Sequence, residues 1–119
     1  MPDIRVKRVY EPASPGDGTR VLVDRLWPRG LTAEKVQAAL WLKEAAPSNA
    51  LRQMFHHDAA RWDDFRAAYF AELDANPAPV AQLLGFARQG PLTLLFGAKD
   101  VEHNQAVVLR EYLIHRGGG

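Results

Sequence analysis

Apolar and polar side chains alternate from Ile4 to Tyr10 (IRVKRVY), with Ile4, Val6 and Arg8 on one face and Arg5, Lys7 and Val9 on the other. A period of two predicts a β-strand with at least one face near water. Glu11 to Gly18 (EPASPGDG) holds two prolines and two glycines and predicts a loop. Arg20 to Trp27 then predicts a second strand. Its Val21-Leu22-Val23 run is apolar on both faces, as in the middle of a sheet.

Past Gly30 the period lengthens. Thr32 can cap a short helix, with Glu34 in its first turn where the helix dipole favours an anion. Leu40-Trp41-Leu42 reads as a short third strand or as the end of that helix. Ser48 predicts the cap of a helix running to about His56, and Asp58 the cap of a longer one to about Leu73. Trp62, Phe65, Tyr69 and Leu73 follow at spacings of 3, 4 and 4, one apolar stripe on a helix. Val80, Leu83, Leu84 and Phe86 predict another helix ending at Gly90, and Pro91–Gly97 a buried strand. A last helix is expected from Asp100 to about His115, with Gln105, Ala106, Leu109, Tyr112 and Leu113 on its inner stripe. Strands separated by helices require crossover connections. The expected fold is therefore α/β, a single layered domain over 1–116. It has a mainly parallel sheet of three to five strands flanked by helices, and a flexible glycine tail at 117–119.

Composition narrows the function classes. At 119 residues, 47% hydrophobic and 24% charged, the chain can bury a core as one domain. A formal charge of +1 gives no global field toward nucleic acid or an anionic membrane. Without cysteine there is no disulfide, thiolate nucleophile or zinc–thiolate site. No run approaches the ~20 apolar residues of a membrane span. The start MPDIRVKR has no apolar signal core, so a cytoplasmic protein is expected.

Candidate chemistry gathers where strands are expected to end. Asp24-Arg25 closes the second strand, and Trp27-Pro28-Arg29-Gly30 follows as a stiff turn. Ligands of open α/β sheets bind just outside the carboxyl ends of the strands, and the guanidinium fork suits phosphate or carboxylate. Asp24 could equally pair with Arg8, Arg20 or Arg25 and stitch the sheet edge. The second cluster is Lys99-Asp100-Val101-Glu102-His103-Asn104. Here Asp100 is expected at the helix cap, with His103 and Asn104 in the first turn beside free N–H groups. His103 suits proton transfer near neutral pH; the alternative is plain capping with a solvated histidine. In Phe55-His56-His57-Asp58, adjacent histidines diverge on a helix and HExxH is absent, so no metal site is expected. The chain also lacks a P-loop, GxGxxG and GxSxG, and Ser14 and Ser48 are its only serines. The Trp62-Phe65-Tyr69 stripe is expected in the core, whereas Trp27 lies in the candidate site as a wall.

KRVYEP at 7–12, VLVDRLWPRG at 21–30, WLKEAAPS at 41–48, FHHD at 55–58 and AKDVEHNQAVVLREYL at 98–113 closely resemble the YeaO-like branch of domain-of-unknown-function family 488. The resemblance covers about Ile4 to Leu113. It implies a small α/β protein with a strand ending in Asp-Arg before a Pro, which Asp24-Arg25 and Pro28 fit. It also implies a late charged turn with Cys-His-Arg nearby. Lys99, Asp100 and His103 fall there, but Asn104 replaces the arginine and no cysteine exists, which excludes a cysteine-based mechanism. Some relatives carry transcriptional-regulator labels, yet no helix-turn-helix pattern is present. The family brings no established reaction or cofactor.

The leading expectation is an anionic small molecule, a nucleotide or phosphorylated metabolite, bound by Arg25, Arg29, Lys99 and Asn104. If the protein is an enzyme, His103 is the acid or base, and Asp24 orients Arg25 or binds a cation. The alternative is a nucleic-acid-associated or protein-interaction module, using Arg5, Lys7, Arg8, Arg25 and Arg29 around Trp27 as a basic aromatic patch. A homodimer through an apolar helix face is open in either case.

Overall fold

The computed structural model describes residues 3–55 and 59–117. Four strands, β1 (Ile4–Arg8), β2 (Thr19–Leu22), β3 (Leu40–Trp41) and β4 (Leu92–Phe96), form one parallel sheet in the order β1-β4-β2-β3. Ile4 and Thr19 both lie opposite Leu92, and Val21 lies opposite both Leu94 and Leu40. Every residue of β4 is buried, because β4 has a strand on each side and cover on both faces. The helices are α1 (Ala33–Val36), α2 (Asn49–Phe55), α3 (Trp62–Asp74), α4 (Pro77–Gln89) and α5 (Gln105–Gly117), and none of the described helices is long and apolar enough to cross a membrane. This is the expected single layered α/β arrangement.

Two boundaries differ from the sequence reading. The second strand stops at Leu22 rather than Trp27. Val23 N–H still reaches Leu95 O at 3.1 Å, but the next residue, Asp24, turns its carboxylate onto Gly97 N–H at 2.8 Å and the chain leaves the ladder. The last helix starts at Gln105 rather than Asp100. Asp100 Oδ1 accepts the N–H groups of Glu102 and His103 at 2.9 Å each, a local turn that competes with helix. Asn104 caps the helix instead, its Oδ1 accepting Val107 N–H at 3.1 Å. Thr32 and Ser48 do cap α1 and α2, accepting Lys35 N–H at 3.3 Å and Leu51 N–H at 3.1 Å. The expected cap Asp58 and the FHHD histidines lie outside the described residues, as do 118–119 of the glycine tail.

Alternation along the strands sorts two unequal cores. Ile4, Val21, Val23, Leu92, Leu94 and Phe96 face a thick layer of helices α3, α4 and α5, with Phe65, Tyr69, Leu83, Leu109 and Leu113 fully packed against them. The other face carries a small apolar cluster of Val9, Leu22, Val36 and Leu95. Beside that cluster, Arg20 and Asp17 are each only 5% exposed. Asp17 accepts from Arg20 Nη1 at 2.6 Å, Lys7 Nζ at 3.1 Å, Ser14 N–H at 3.0 Å and Ser14 Oγ at 2.9 Å. Arg20 also donates to Val36 O at 2.7 Å and Gln37 O at 3.2 Å, so it satisfies the carbonyl end of α1. Thr93 on β4 donates to Asp17 O at 2.7 Å. Gly18 completes the strap: at φ +64° a Cβ there would stand 2.2 Å from Pro91 O.

Burial pushes the Asp17 pKa up. The bonds from Ser14 N–H, Lys7, the Ser14 hydroxyl and Arg20 outweigh it and hold the carboxyl well below the usual carboxylate range. A depressed folded pKa means stability that is present above the unfolded value near ~3.9 and lost as pH falls below it. Asp17→Ala should therefore cost about 3–5 kcal/mol in urea unfolding at pH 7, as for a broken buried pair. Its deficit should shrink as pH drops below ~4. A loss under ~1 kcal/mol would show that this cluster does not pin the strap.

Candidate functional site

Beyond the carboxyl ends of β2 and β4 the chain departs to opposite sides of the sheet. After β2 it runs to α1, whose Val36 sits in the thin core; after β4 it runs to α5, whose Ala106 and Leu109 sit in the thick one. Adjacent parallel strands whose connections diverge this way leave a crevice between them. Asp24 spans its floor. One carboxylate oxygen accepts Gly97 N–H, and the other accepts the side-chain amide of Gln105, the first residue of α5. Gly97 must be small here, since a Cβ would lie 3.1 Å from Asp24 Oδ2. Burial raises the Asp24 pKa to about 6, against the lowering effects of the Gly97 N–H, the Arg52 charge and Gln105.

One wall of the crevice is the segment Ala45–Ser48, fastened at four consecutive residues. Tyr69 donates its hydroxyl to Ala45 O, and Arg25 donates to Ala46 O at 3.4 Å and to Pro47 O at 3.2 Å. Glu72 accepts Ser48 N–H at 2.9 Å and Ser48 Oγ at 2.6 Å. Burial holds the Tyr69 hydroxyl far above its ordinary range, so it remains a donor. The opposite wall is the Trp27–Gly30 turn. Trp27 Nε1 donates to Leu31 O at 2.7 Å, Tyr10 donates its hydroxyl to Arg29 O at 3.0 Å, and Gly30 supplies φ +81°. Trp41 Nε1 donates to Asp24 O at 2.7 Å, and the two indoles meet edge to face at 5.3 Å.

The crevice has two adjoining lobes. The first, about 290 Å³, is lined by Asp24, Arg25, Trp27 and Arg29; the second, about 320 Å³, by Asn49, Gln53, Phe65, Asp100 and His103. Pro47, Arg52, Ala98 and Gln105 line both. Asp24, Arg25, Arg29 and Trp27 line the first lobe, and His103 and Asn104 from the second expected cluster line the neighbouring one. The His103 ring sits 3.3 Å from Asp100 Oδ2 and edge to face with Trp62 at 5.0 Å.

Arg25 is occupied in holding the Ala46–Pro47 wall, whereas the Arg29 side chain meets no hydrogen-bonding or ionic partner among the described residues. Lys99 is exposed and lines neither lobe. Asn104 is buried and uses both ends of its amide, capping α5 and donating to Asp100 O at 2.9 Å. Asp100 shapes the turn before the helix rather than capping the helix. Of the basic aromatic patch, Arg5 and Lys7 lie on the thin face, held by Asp3 and Asp17. Arg8 lies on the other face and donates to Ala98 O at 3.1 Å. Arg5 and Lys7 line neither lobe, whereas the Arg8 guanidinium lies over the ring of Tyr10, which lines the lobe of Arg25, Trp27 and Arg29. Sequence reasoning missed Arg52 and Gln105. Arg52 looks like any solvated helical charge, although its place four residues after the Ser48 cap points it along the helix side that leaves the wall segment. Nothing local marks Gln105, whose partner lies 81 residues away. Among the described residues no cluster of three or more His, Asp or Glu forms a metal site.

Residues 3–117 match the family described as the "Inactive DUF488-N3 subclade". The chain is 43% identical over 111 residues to Uncharacterized protein YeaO of Escherichia coli K12, covering 93% of this chain and 96% of that protein. It is 38% identical over 110 residues to Uncharacterized protein Rv3073c of Mycobacterium tuberculosis H37Rv, covering 92% of each. No solved structure matches it. The chain belongs to the DUF488 family, among its YeaO-like members.

Proposed function

We propose that this protein is a cytoplasmic binding domain for an anionic small molecule, a nucleotide or phosphorylated metabolite, held in the lobe between the Trp27–Gly30 turn and Pro47. The observation that carries the reading is the charge of that lobe. Three guanidinium groups, Arg25, Arg29 and Arg52, line it against one carboxylate, Asp24. Among the described residues the Arg29 side chain has no hydrogen-bonding or ionic partner, and Arg52 donates to Asn49 Oδ1 at 3.1 Å on its own helix. Charge-assisted bonds from such forks are the strong ones for phosphate. The reading is of binding without chemistry. Its supports are the family's description as inactive, the lack of cysteine, and the placement of Asp24 and His103 in different lobes.

Titration calorimetry with inorganic pyrophosphate tests the proposal. Wild type should bind. Arg29→Ala and Arg52→Ala should each weaken binding about tenfold, the loss of one charge-assisted contact. Both should leave stability within ~0.5 kcal/mol, because both side chains are exposed. Binding indifferent to both variants would remove the anion site from this lobe.

Asp24 adds a pH dependence. Its folded pKa of about 6 lies above the unfolded value, so its stabilising contribution is complete below ~3.9 and lost as pH rises through about 6. Ionised Asp24 also repels an anion. Sulfate, which keeps its two charges over this range, should bind more tightly as pH falls from 8 to 5. Asp24→Asn should bind it more tightly at pH 8 and flatten the profile. A slope that persists in Asp24→Asn would assign the titration to another group.

A further inference from the structure

We infer that the second lobe takes the heterocycle of a nucleoside phosphate whose phosphates occupy the arginine lobe, so that one ligand lies across Arg52 and Gln105. The inference rests on the anion reading above and names its ligand class. The lobes share four lining residues, and at about 290 and 320 Å³ each alone is at the small end for a ligand site. Together they suit a molecule with two chemically different ends.

Those ends differ in kind. Apart from the shared Arg52, the side chains of the second lobe that can carry charge are Asp100 and His103, whose Oδ2 and Nδ1 lie 3.3 Å apart. No surplus cation is left there for phosphate. The lobe offers amides instead. Gln105 gives its amide N–H to Asp24, which leaves its carbonyl oxygen to accept. Asn49 accepts from Arg52 through Oδ1, which leaves its NH₂ to donate. Gln53 can do either. Phe65, Pro47 and Ala98 add apolar surface. A planar base has apolar faces and an edge of mixed donors and acceptors, which this lining complements. A sugar phosphate has no apolar face to offer.

Calorimetry on the full chain compares pyrophosphate with the adenine, guanine, cytosine and uracil nucleoside diphosphates and with ribose 5-phosphate. At least one nucleoside diphosphate should bind about tenfold or more tighter than pyrophosphate, the effect of two added net hydrogen bonds. The variant Gln53→Ala alters an exposed position of α2 that holds none of the lobe's arginines. It should cut that increment severalfold and leave pyrophosphate affinity unchanged. If pyrophosphate binds and no nucleoside diphosphate exceeds it, or if ribose 5-phosphate matches the best of them, the heterocycle lobe is refuted while the anion site stands. If none of these compounds binds, both readings fall.

Discussion

The buried pair of Arg20 and Asp17 is the contact from which the rest of the architecture follows. The thin face of the sheet has four buried apolar side chains, too few to hold cover by hydrophobic burial alone. One guanidinium compensates by joining three separate pieces of chain: the Ser14–Asp17 strap, the start of β2 that carries it, and the terminal carbonyls of α1. Its planar fork makes this possible; a lysine at position 20 could not reach three acceptors in fixed directions. Every other polar atom of the cluster is also matched, and among the described residues no buried side-chain polar atom lacks a partner. That completeness is what makes a buried ion pair tolerable.

Holding α1 on the thin face has a consequence at the other end of β2. The chain leaving β2 must turn toward α1, while the chain leaving β4 must turn toward the thick helical layer. The crevice is the gap between these exits, so the ion pair on one side of the sheet helps to place the site at its edge. The walls are then held by main-chain anchoring, added on one side to the packing of Ala45 in the thick core. Tyr69, Arg25 and Glu72 fasten Ala45–Ser48, and the two indoles fasten the Trp27 turn to Asp24. Arg25 thus serves the wall as well as the cleft, and its replacement would disturb both.

What the sequence revealed was local. The alternation of β1, the caps Thr32 and Ser48, the Phe65-Tyr69-Leu73 stripe and the buried β4 each depend on residues a few positions apart. The strand order, and hence which strand ends are neighbours, depends on long-range packing that no periodicity encodes. The start of α5 is ambiguous in the pattern because Asp100 and Asn104 are both good caps; in the structure Asp100 spends its carboxylate on the Glu102 and His103 N–H groups, and Asn104 caps the helix. The same limit hid half of the site. Asp24 and Arg25 stood out by ending an apolar run, but Gln105 and Arg52 acquire meaning only when α5 and α2 are brought to the crevice.

Asp24 is a costly residue to bury beside an intended anion, and its two bonds explain why an apolar filler would not serve. The crevice floor presents Gly97 N–H and the Gln105 amide, donors from two diverging segments that an alanine would leave without a partner. The carboxylate therefore closes the gap between β2 and α5 and lowers the charge of the lobe by one. A chain of net charge +1 cannot draw an anion by its overall field. Recognition must come from guanidinium groups held in position around a partly neutralised floor. Such a site favours ligands that match the placement of the forks over those that merely carry more charge.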